Sequence, residues 1–363
     1  MNTRLRSILG VGLVLVAATV AVLWLASGRA VAYGPLAAAE RRRVDSAQAG
    51  TVLERVRLTS AAGRSVTCLL RRPAVAVATR AEAAVLLFGG IGTGGRAAIL
   101  VDPSHRVVVL ACDYPWDDPS RLPWWRIAWR MPAIRADVLA TPQALAVAAS
   151  FLVGLPDVDP RRVAGIGASL GVPFVASWAA EDRRVGAVAL VYGGGDLRAL
   201  FEANLRRKVA ARWLRRALAA AGATLLADLD PARSAPRIAP RPLLLVGSRE
   251  DERVPRTSVD ALVGAARPPV TTVWFDGGHM VPRDTALLRA ISDTTVAWLA
   301  RVQAPLSPSA PATHTNPMIG QSRQIRRRQF LARSHSREEQ VQVHASVTPP
   351  NCPRTTPPAR RRS

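Results

Sequence analysis

The chain has 363 residues, 49% of them hydrophobic, so it is long and apolar enough to form one large domain with a sizeable core. Its formal net charge of +23 comes almost entirely from arginine, because Lys208 is its single lysine. The basic residues form short runs without an ordered pattern of aromatic residues. This argues against a dedicated nucleic-acid-binding protein, whose affinity would fall steeply with salt, and favours solvated faces and tails, then attraction to anionic lipid.

The first predicted element is an apolar segment near the amino terminus. Residues 8–27 carry no charge and follow Arg4 and Arg6, and at ~1.5 Å per helical residue they can cross a bilayer core of ~30 Å. They exceed the ~7–15 apolar residues usual in a cleaved signal, although AVA at 30–32 resembles a cleavage site. Residues 1–32 are therefore predicted to be a signal anchor, with a signal peptide as the alternative. The body of the protein is expected outside the cytoplasmic membrane, anchored to it or secreted.

After a predicted linker at 33–50, strands and helices alternate. The predicted strands are short, rich in valine and leucine, and apolar at nearly every position, which is typical of strands covered on both faces. They lie at 51–60, 66–73, 84–88, 107–112, 163–167, 185–192, 242–246 and 272–275, with helices at 133–152, 171–180, 258–266 and 285–301. The first two strands suggest an antiparallel hairpin. The alternation that follows predicts an α/β fold with a mostly parallel sheet between helices.

Two insertions interrupt this alternation, and insertions after the strands of such a sheet usually cover the binding crevice. The first, 114–132, contains four tryptophans among arginines. The second, 197–231, lies within a predicted cap region of about 196–236 and is typical of basic amphipathic helix. From about residue 304 hydrophobic periodicity ends, so residues 304–363 are predicted to be a disordered basic tail.

The three cysteines, Cys68, Cys112 and Cys352, have neither the spacing of metal ligands nor that of a disulfide framework. Cys68 and Cys112 each lie in an apolar predicted strand, so buried free thiols are expected. A bridge between them would require the two strands to be neighbours outside the cytoplasm.

Residues 167–171, Gly-Ala-Ser-Leu-Gly, match the motif G-x-S-x-G at the junction of a predicted strand and a predicted helix. The motif holds its serine, here Ser169, in a strained turn. Only small residues two places to either side let the strand and the helix come close enough, and Gly165 gives further clearance. The pattern indicates a nucleophilic serine, but alone it leaves open a glycine-rich turn that approaches a phosphate.

A nucleophilic serine needs a histidine base and a carboxylate beside it. Three of the five histidines fall in the predicted tail, and His105 precedes a strand. Only His279 follows the last predicted core strand, in a loop with two glycines, so His279 is the candidate base. The loop after strand 242–246 supplies acids at positions 250, 251 and 252. Asp276 ranks below these, because only a tight glycine loop separates it from His279.

The order serine, acid, histidine, with the strand that each follows, resembles the α/β-hydrolase superfamily over about residues 51–302. The nearest resemblance is to its dienelactone hydrolase, peptidase and acyl-CoA thioesterase group. It implies an eight-stranded, mostly parallel sheet with helices on both faces and a small helical cap. It also selects Asp251, which lies four residues before Pro255 in the pattern D-x-x-V-P, and leaves Glu250 and Glu252 as solvated neighbours.

The resemblance further implies an oxyanion hole made by the amides of Leu170 and Ile91, the first being the residue after the nucleophile. Ile91 lies in LLFGGIGTGG, residues 86–95, where Gly89 and Gly90 stand in place of the His-Gly that family members often have. No metal or organic cofactor is implied, because the histidines and carboxylates show no ligand spacing such as H-E-x-x-H.

Together these residues predict a serine hydrolase that transfers the acyl group of a small-molecule carboxylic ester to water, with a thioester or peptide bond as the less favoured substrate. Trp116, Trp124 and Trp125 are candidates to line an apolar acyl pocket, although core packing or a membrane interface would also suit them. Two alternatives stay open: a peptidase or acyltransferase with the same three residues, and a membrane-tethered binding module without catalysis. A fluorophosphonate probe separates the enzymes from the module.

Overall fold

The computed structural model describes residues 24, 31–44, 50–74, 82–90, 92–100, 107–116, 123–303 and 342–344. The predicted signal anchor and the predicted tail lie outside these residues, apart from positions 24, 31, 32 and 342–344. The strands are β1 Leu36–Val44, β2 Thr51–Ser60, β3 Ser65–Pro73, β4 Glu82–Phe88, β5 Val107–Cys112, β6 Val158–Ala168, β7 Ala187–Val191, β8 Leu243–Ser248, β9 Val270–Phe275 and β10 Gln342–His344.

These strands form one sheet in the order β1-β2-β3-β5-β4-β6-β7-β8-β9-β10. The pairs from β1 to β5 on one side are antiparallel, and the pairs from β5 through β4 to β10 are parallel. The predicted α/β fold class is confirmed, with a mixed sheet. The described sheet has ten strands, two more than the eight expected.

The two additional strands arise in segments without an apolar pattern. Strand β1 lies in the predicted linker and pairs with β2 through its backbone, with seven consecutive exposed residues. Its arginines protect this edge of the sheet, since charged side chains discourage pairing with another chain, and Arg41 contacts Glu54 of β2 at 2.6 Å. Strand β10 lies in the predicted disordered tail and pairs in parallel with β9. Strand β1 buries no repeating apolar face, so hydrophobic periodicity could not reveal it.

Helices cover both faces of the sheet. They are α1 Ala97–Leu100, α2 Trp124–Val153, α3 Gly171–Glu181, α4 Leu197–Leu205, α5 Arg212–Leu225, α6 Pro231–Ile238, α7 Arg256–Ala265 and α8 Thr285–Val302. Successive strand residues point to opposite faces. In β4, for example, Leu86 and Phe88 pack in the core shared with α2 and α3, whereas Val85 and Leu87 pack in the core shared with α1 and α8.

Helix α2 begins at Trp124, inside the first predicted insertion, and contains Pro132 and Pro142. Among the described residues, its segment Trp129–Val153 is long and apolar enough to cross a membrane, with a mean hydropathy of 1.5. Over half of its most apolar stretch, 56%, is buried within the protein, and side chains of its later turns, such as Leu145 and Leu152, belong to the main core. Its position is therefore that of a core helix on the sheet.

The predicted cap region contains α4, α5 and α6, and these differ in their packing. Asp230 fixes the region, because its carboxylate accepts hydrogen bonds from the amides of Asp196, Leu197 and Ala232 at 2.9–3.1 Å. Ala235 and Ile238 of α6 are fully buried in the core beside α3. Helix α6 thus belongs to the layer on the sheet, and only α4 and α5 stand outside it.

Cys68 of β3 and Cys112 of β5 form a disulfide, so the expectation of free thiols is wrong. The two strands are antiparallel neighbours and the cysteines lie directly opposite each other, with their Cα atoms 3.9 Å apart. The sequence shows each cysteine in a strand but does not reveal that β5, rather than β4, lies beside β3. That register brings the two sulfur atoms together.

Candidate active site

Three loops meet at the carboxyl-terminal edge of the parallel strands. Ser169 follows β6, Asp251 follows β8 and His279 follows β9. Because the carboxyl ends of parallel strands lie at the same edge, residues far apart in sequence become neighbours there, and ligands of such sheets bind at this edge. The structure brings together these three residues, which the sequence analysis selected.

The turn at Ser169 has the strain that the motif predicts. Ser169 has a φ of 52°, in the left-handed region that non-glycine residues seldom adopt. Its amide donates to the carbonyl of Val191 at 2.8 Å, which ties the turn to β7. A Cβ added to Gly167 would lie 2.9 Å from both the Gly171 carbonyl oxygen and the Val175 Cβ. Glycine is therefore required for the close approach of β6 and α3, and this approach presents the serine hydroxyl.

A continuous line of hydrogen bonds joins the three side chains. Ser169 Oγ lies 2.8 Å from His279 Nε2, and His279 Nδ1 lies 2.8 Å from Asp251 Oδ2. An ionised carboxylate only accepts hydrogen bonds, so Nδ1 of His279 donates to Asp251. In the neutral ring Nε2 is then the acceptor, and it faces the serine hydroxyl. The side chains of His279 and Asp251 are each only 2% exposed, so water does not compete for these bonds.

The Asp251 carboxylate is held by its own loop. Its second oxygen, Oδ1, accepts the amides of Arg253 at 2.8 Å and Val254 at 2.9 Å. With the bond from His279, three donors fix the orientation of the carboxylate. Of the other acids weighed, Glu250 is exposed, and Asp276 pairs with Arg249 at 2.7 Å.

Glu252 has a role that the sequence analysis missed. Its Oε2 accepts the main-chain amide of His279 at 2.8 Å, so the residue is not merely a solvated neighbour. The hydrogen bond from this amide lowers the pKa of Glu252. Adjacent acids therefore hold the ring and the backbone of the same histidine. The only sequence signal was the pair of acids itself, which does not show where the second side chain points.

Tyr192, the residue directly after β7, also contacts the site. Its ring meets the His279 ring edge to face, with centroids 5.8 Å apart and an interplanar angle of 78°. The tyrosine is 1% exposed and has a φ of 55°. Burial, and then the negative charge of Asp251, raise the pKa of Tyr192, so it stays neutral. It packs against the imidazole without competing for its proton.

Of the two predicted oxyanion donors, Leu170 lies within the described residues and Ile91 does not. Leu170 immediately precedes α3, at a helix start where amides lack intrahelical partners. Ile91 lies outside the described residues, but Gly90 beside it is described. A Cβ on Gly90 would lie 3.3 Å from the Cβ of Ser169, so this loop passes directly against the candidate nucleophile.

Two side chains fix the loop before Ile91. Thr93 Oγ1 donates to the carbonyl of Gly90 at 2.7 Å, and the hydroxyl of Tyr114 donates to the carbonyl of Gly89 at 2.7 Å. Burial raises the pKa of Tyr114, so its hydroxyl remains a donor. The glycine loop is therefore held in place beside Ser169.

A cavity of about 620 Å³ opens at Ser169 and His279. Its described lining is mainly aliphatic and does not include Trp116 or Trp125. Trp116 instead packs against Tyr114 and donates from Nε1 to Thr141 at 3.2 Å. Trp125 is 54% exposed, and the side chain of Trp124 lies outside the described part of the structure. The structure thus places the two described tryptophan candidates away from the cavity.

Within the described residues, no group of three or more His, Cys, Asp or Glu side chains could hold a metal ion. The site itself contains one imidazole, two carboxylates and a hydroxyl, and these are engaged with one another. The arrangement can move a proton between the Ser169 hydroxyl and the His279 ring beside an apolar cavity.

Comparison with known proteins supports this architecture. No family model matches the chain, and no curated protein matches its sequence. Solved structures do match: an acetyl xylan esterase from Paenibacillus sp. R4 has a TM-score of 0.51 at 16% identity, covering 75% of this chain and 92% of that one. A zinc-bound, cold-adapted esterase from an Arctic intertidal metagenomic library has a TM-score of 0.50 at 20% identity, covering 73% and 99%.

A puromycin-hydrolyzing peptidase from Mycobacterium tuberculosis matches with a TM-score of 0.53 at 17% identity, covering 72% of this chain but only 41% of the peptidase. At these identities the similarity concerns the fold. Together with the strand order, it shows that the chain has the α/β-hydrolase fold, as the sequence resemblance implied.

Proposed function

We propose that the protein is a serine hydrolase that cleaves a carboxylic ester through an acyl-enzyme. The observation that carries this proposal is the unbroken hydrogen-bonded line from Ser169 through His279 to Asp251, with the serine at the mouth of an apolar cavity. A purely structural serine has no need of a strained turn, a buried imidazole and a buried carboxylate arranged in series. This arrangement instead matches the geometry by which nucleophilic serines are activated.

In the first half of the reaction, His279 Nε2 accepts the Ser169 proton while Oγ bonds to the ester carbonyl carbon. The negative charge on the carbonyl oxygen is stabilised by the Leu170 amide and, by resemblance, by the Ile91 amide. Such a donor is worth roughly 3 kcal/mol in the transition state. The tetrahedral intermediate collapses, the carbon–oxygen bond to the alcohol breaks, and His279 gives its proton to the departing alkoxide.

The second half of the reaction releases the acyl group to water. His279 removes a proton from a water molecule, whose oxygen attacks the carbonyl carbon of the acyl-enzyme. The bond to Ser169 Oγ then breaks, the serine recovers its proton from His279, and a carboxylic acid leaves. Throughout the cycle Asp251 stays ionised, because it holds the Nδ1–H tautomer and stabilises the imidazolium that forms twice.

An ester is preferred over a thioester or a peptide bond on two grounds. Two of the structural neighbours are described as esterases, whereas one is a peptidase. The cavity also offers mainly aliphatic side chains and few groups that could pair with a peptide backbone. The thioester remains the second choice, since its acyl half would fit the same cavity.

We further propose that the domain works outside the cytoplasmic membrane, tethered or released through residues 1–32. The disulfide Cys68–Cys112 supports this location, because structural disulfides persist in oxidising compartments. Protease treatment of intact spheroplasts that express the full chain tests it. Digestion of the domain without lysis is expected, and protection until lysis would contradict it.

Labelling and kinetics test the catalytic proposal. A fluorophosphonate probe should label the wild-type protein and fail to label folded Ser169→Ala. Hydrolysis of p-nitrophenyl butyrate should fall by a factor on the order of 10⁶ in that variant.

Asp251→Asn should lower kcat by a factor of about 10⁴, because an amide cannot hold the required tautomer of His279. The matched control is Asp276→Asn, because the Asp276 carboxylate pairs with Arg249 and not with the His279 ring. Absence of labelling in folded wild-type protein would instead favour a binding module.

A further inference from the structure

The cavity at Ser169 continues well below the nucleophile, between one face of the sheet and helix α8. Its mouth is bordered by residues of α4 and of the loop after β8, including Phe201 and Val254. Its deeper walls come from the sheet, with Val85 and Val109, and from α8, with Ile291 and Val296. The deeper part is called the acyl channel below.

The strand register gives the depth of the acyl channel. Val85 of β4 lies beside Ala164 of β6, and Ala164 lies four residues before Ala168, the neighbour of Ser169. At ~3.3 Å per strand residue, the channel wall therefore extends about 13 Å below the nucleophile. Helix α8 forms the opposite wall from Leu288 to Val296, which at ~1.5 Å per residue is about 12 Å. The two walls agree in length.

The spacing of the α8 residues shows that one helix face forms this wall. Leu288, Ile291, Ser292, Thr295 and Val296 all line the cavity, and they recur at intervals of three and four residues. Ser292 and Val296 are only half-buried, although they point at the sheet side of the helix, because the space they face is open. Helix α1, which covers the same face of the sheet, has only four residues.

The chemistry of the channel restricts its ligand. Among the described lining residues of the whole cavity, the charged or titratable side chains are Arg253 and His279, and both lie at the active-site edge. Below them the polar groups are hydroxyls, and Thr295 Oγ1 already donates to the Ile291 carbonyl at 2.8 Å. A charged or strongly hydrogen-bonding ligand would lose its water here without replacement. An uncharged hydrocarbon chain would not.

We propose that the acyl channel binds the hydrocarbon chain of the ester's acyl half, and that its depth gives the enzyme a preference for medium to long acyl chains over acetyl. This inference rests on the proposed esterase function, because it assumes that the carbonyl carbon is placed at Ser169. Each methylene moved from water into the channel should increase kcat/KM by roughly fourfold until the channel is full.

Chain-length profiles of blocked variants test the inference. Wild-type protein should hydrolyse p-nitrophenyl octanoate and decanoate with higher kcat/KM than the acetate. Val296→Phe, at the deep end, should lower the ratio of kcat/KM for decanoate to kcat/KM for acetate at least tenfold. Ser292→Phe, nearer the nucleophile, should also reduce kcat/KM for hydrolysis of the octanoate ester. Ala297→Phe is the matched control, because it places the same side chain on the exposed side of the same helix.

Binding to an inactive protein separates failure of the channel from failure of the enzyme. Ser169→Ala protein should bind sodium decanoate in calorimetry with a negative heat-capacity change, and adding Val296→Phe should remove the binding while Ala297→Phe should not. If all variants hydrolyse esters with identical chain-length profiles, the acyl channel does not bind the acyl chain, and the proposed esterase function is retained. No ester hydrolysis, but decanoate binding that Val296→Phe removes, would overturn the function and keep the channel. If Val296→Phe does not fold, Ser292→Phe takes its place in both experiments.

Discussion

Glu252 accepts a hydrogen bond of 2.8 Å from the main-chain amide of His279, while the preceding residue, Asp251, binds the ring of the same histidine. One loop after β8 therefore controls both the orientation of the imidazole and the path of the chain that carries it. Glu252 is therefore a positioning residue, because it acts on the reaction only through the backbone of His279.

Replacement of Glu252 tests this role. Glu252→Ala should lower kcat of ester hydrolysis about tenfold with little change in KM, because the His279 loop loses its tie while the cavity is untouched. Glu252→Gln should recover most of the rate, because its amide oxygen can still accept the His279 amide. Steady-state kinetics on p-nitrophenyl butyrate measures both. The exposed Glu250→Ala is the control, and an equal loss of kcat in that variant would assign the effect to general loop charge.

Asp182 supplies a prediction about pH. Its carboxylate accepts Trp178 Nε1 at 2.9 Å and Arg184 Nε at 2.9 Å. Burial raises the pKa of Asp182, but the hydrogen bonds and charge of Arg184 outweigh burial and lower it below 3.8. The folded state thus favours the ionised form. At a pH above the ordinary aspartate pKa, the ionised carboxylate contributes to the free energy of unfolding. This contribution is lost as the pH falls through the lower pKa that Asp182 has in the folded state.

Asp182→Asn should therefore reduce the free energy of unfolding at pH 7 by about 1–2 kcal/mol. The difference from wild type should shrink as the pH is lowered from 5 toward 2. Urea unfolding at several pH values measures it, with the exposed Asp260→Asn as the matched variant. A difference that stays constant down to pH 2 would mean that Asp182 stabilises the fold without its charge.

Two glycines predict opposite effects of the same substitution. Gly167→Ala should destabilise the protein by about 1–3 kcal/mol, because its Cβ would meet Gly171 and Val175 at 2.9 Å. Gly264→Ala, in α7, should stabilise it by about 0.4–1 kcal/mol, because a Cβ there meets nothing within 4 Å and alanine favours the helix. Thermal or urea unfolding measures both. Equal tolerance of alanine at the two positions would contradict the packing described at the serine turn.

The disulfide gives a prediction that needs no substitution. Denatured, non-reduced protein should react with one equivalent of Ellman's reagent, from Cys352, rather than three. Reduction should lower the free energy of unfolding by about 4 kcal/mol, since the bond closes a loop between residues 44 apart. A count of three thiols in protein exported to an oxidising compartment would show that the pair stays reduced.

The sequence predicted those parts of the fold and of the site that produce a local sequence pattern. Buried parallel strands such as β4 and β8 are uninterrupted apolar runs, and Ser169 lies in a motif whose glycines have a steric purpose. His279 emerged by elimination, and the structure places its ring beside the Ser169 hydroxyl.

The parts that were missed depend on pairing or on side-chain direction. Strand β1 is held by backbone hydrogen bonds to β2 and carries charged residues that indicate no core. The contacts of Glu252 and Tyr192 with His279 join loops that are distant in sequence. The disulfide follows from the order of β4 and β5 in the sheet, which apolar runs cannot reveal.

The covalent bond between β3 and β5 also affects how the protein would carry a mechanical load. A pull on the chain ahead of β1 acts on the outermost strand, which is held to β2 by hydrogen bonds that can open one after another. Peeling could continue through β2, but at β3 it meets the bond from Cys68 to Cys112 and stops. The strands that carry Ser169, Asp251 and His279 lie beyond β5, so peeling from the amino-terminal edge would not separate them while that bond is intact.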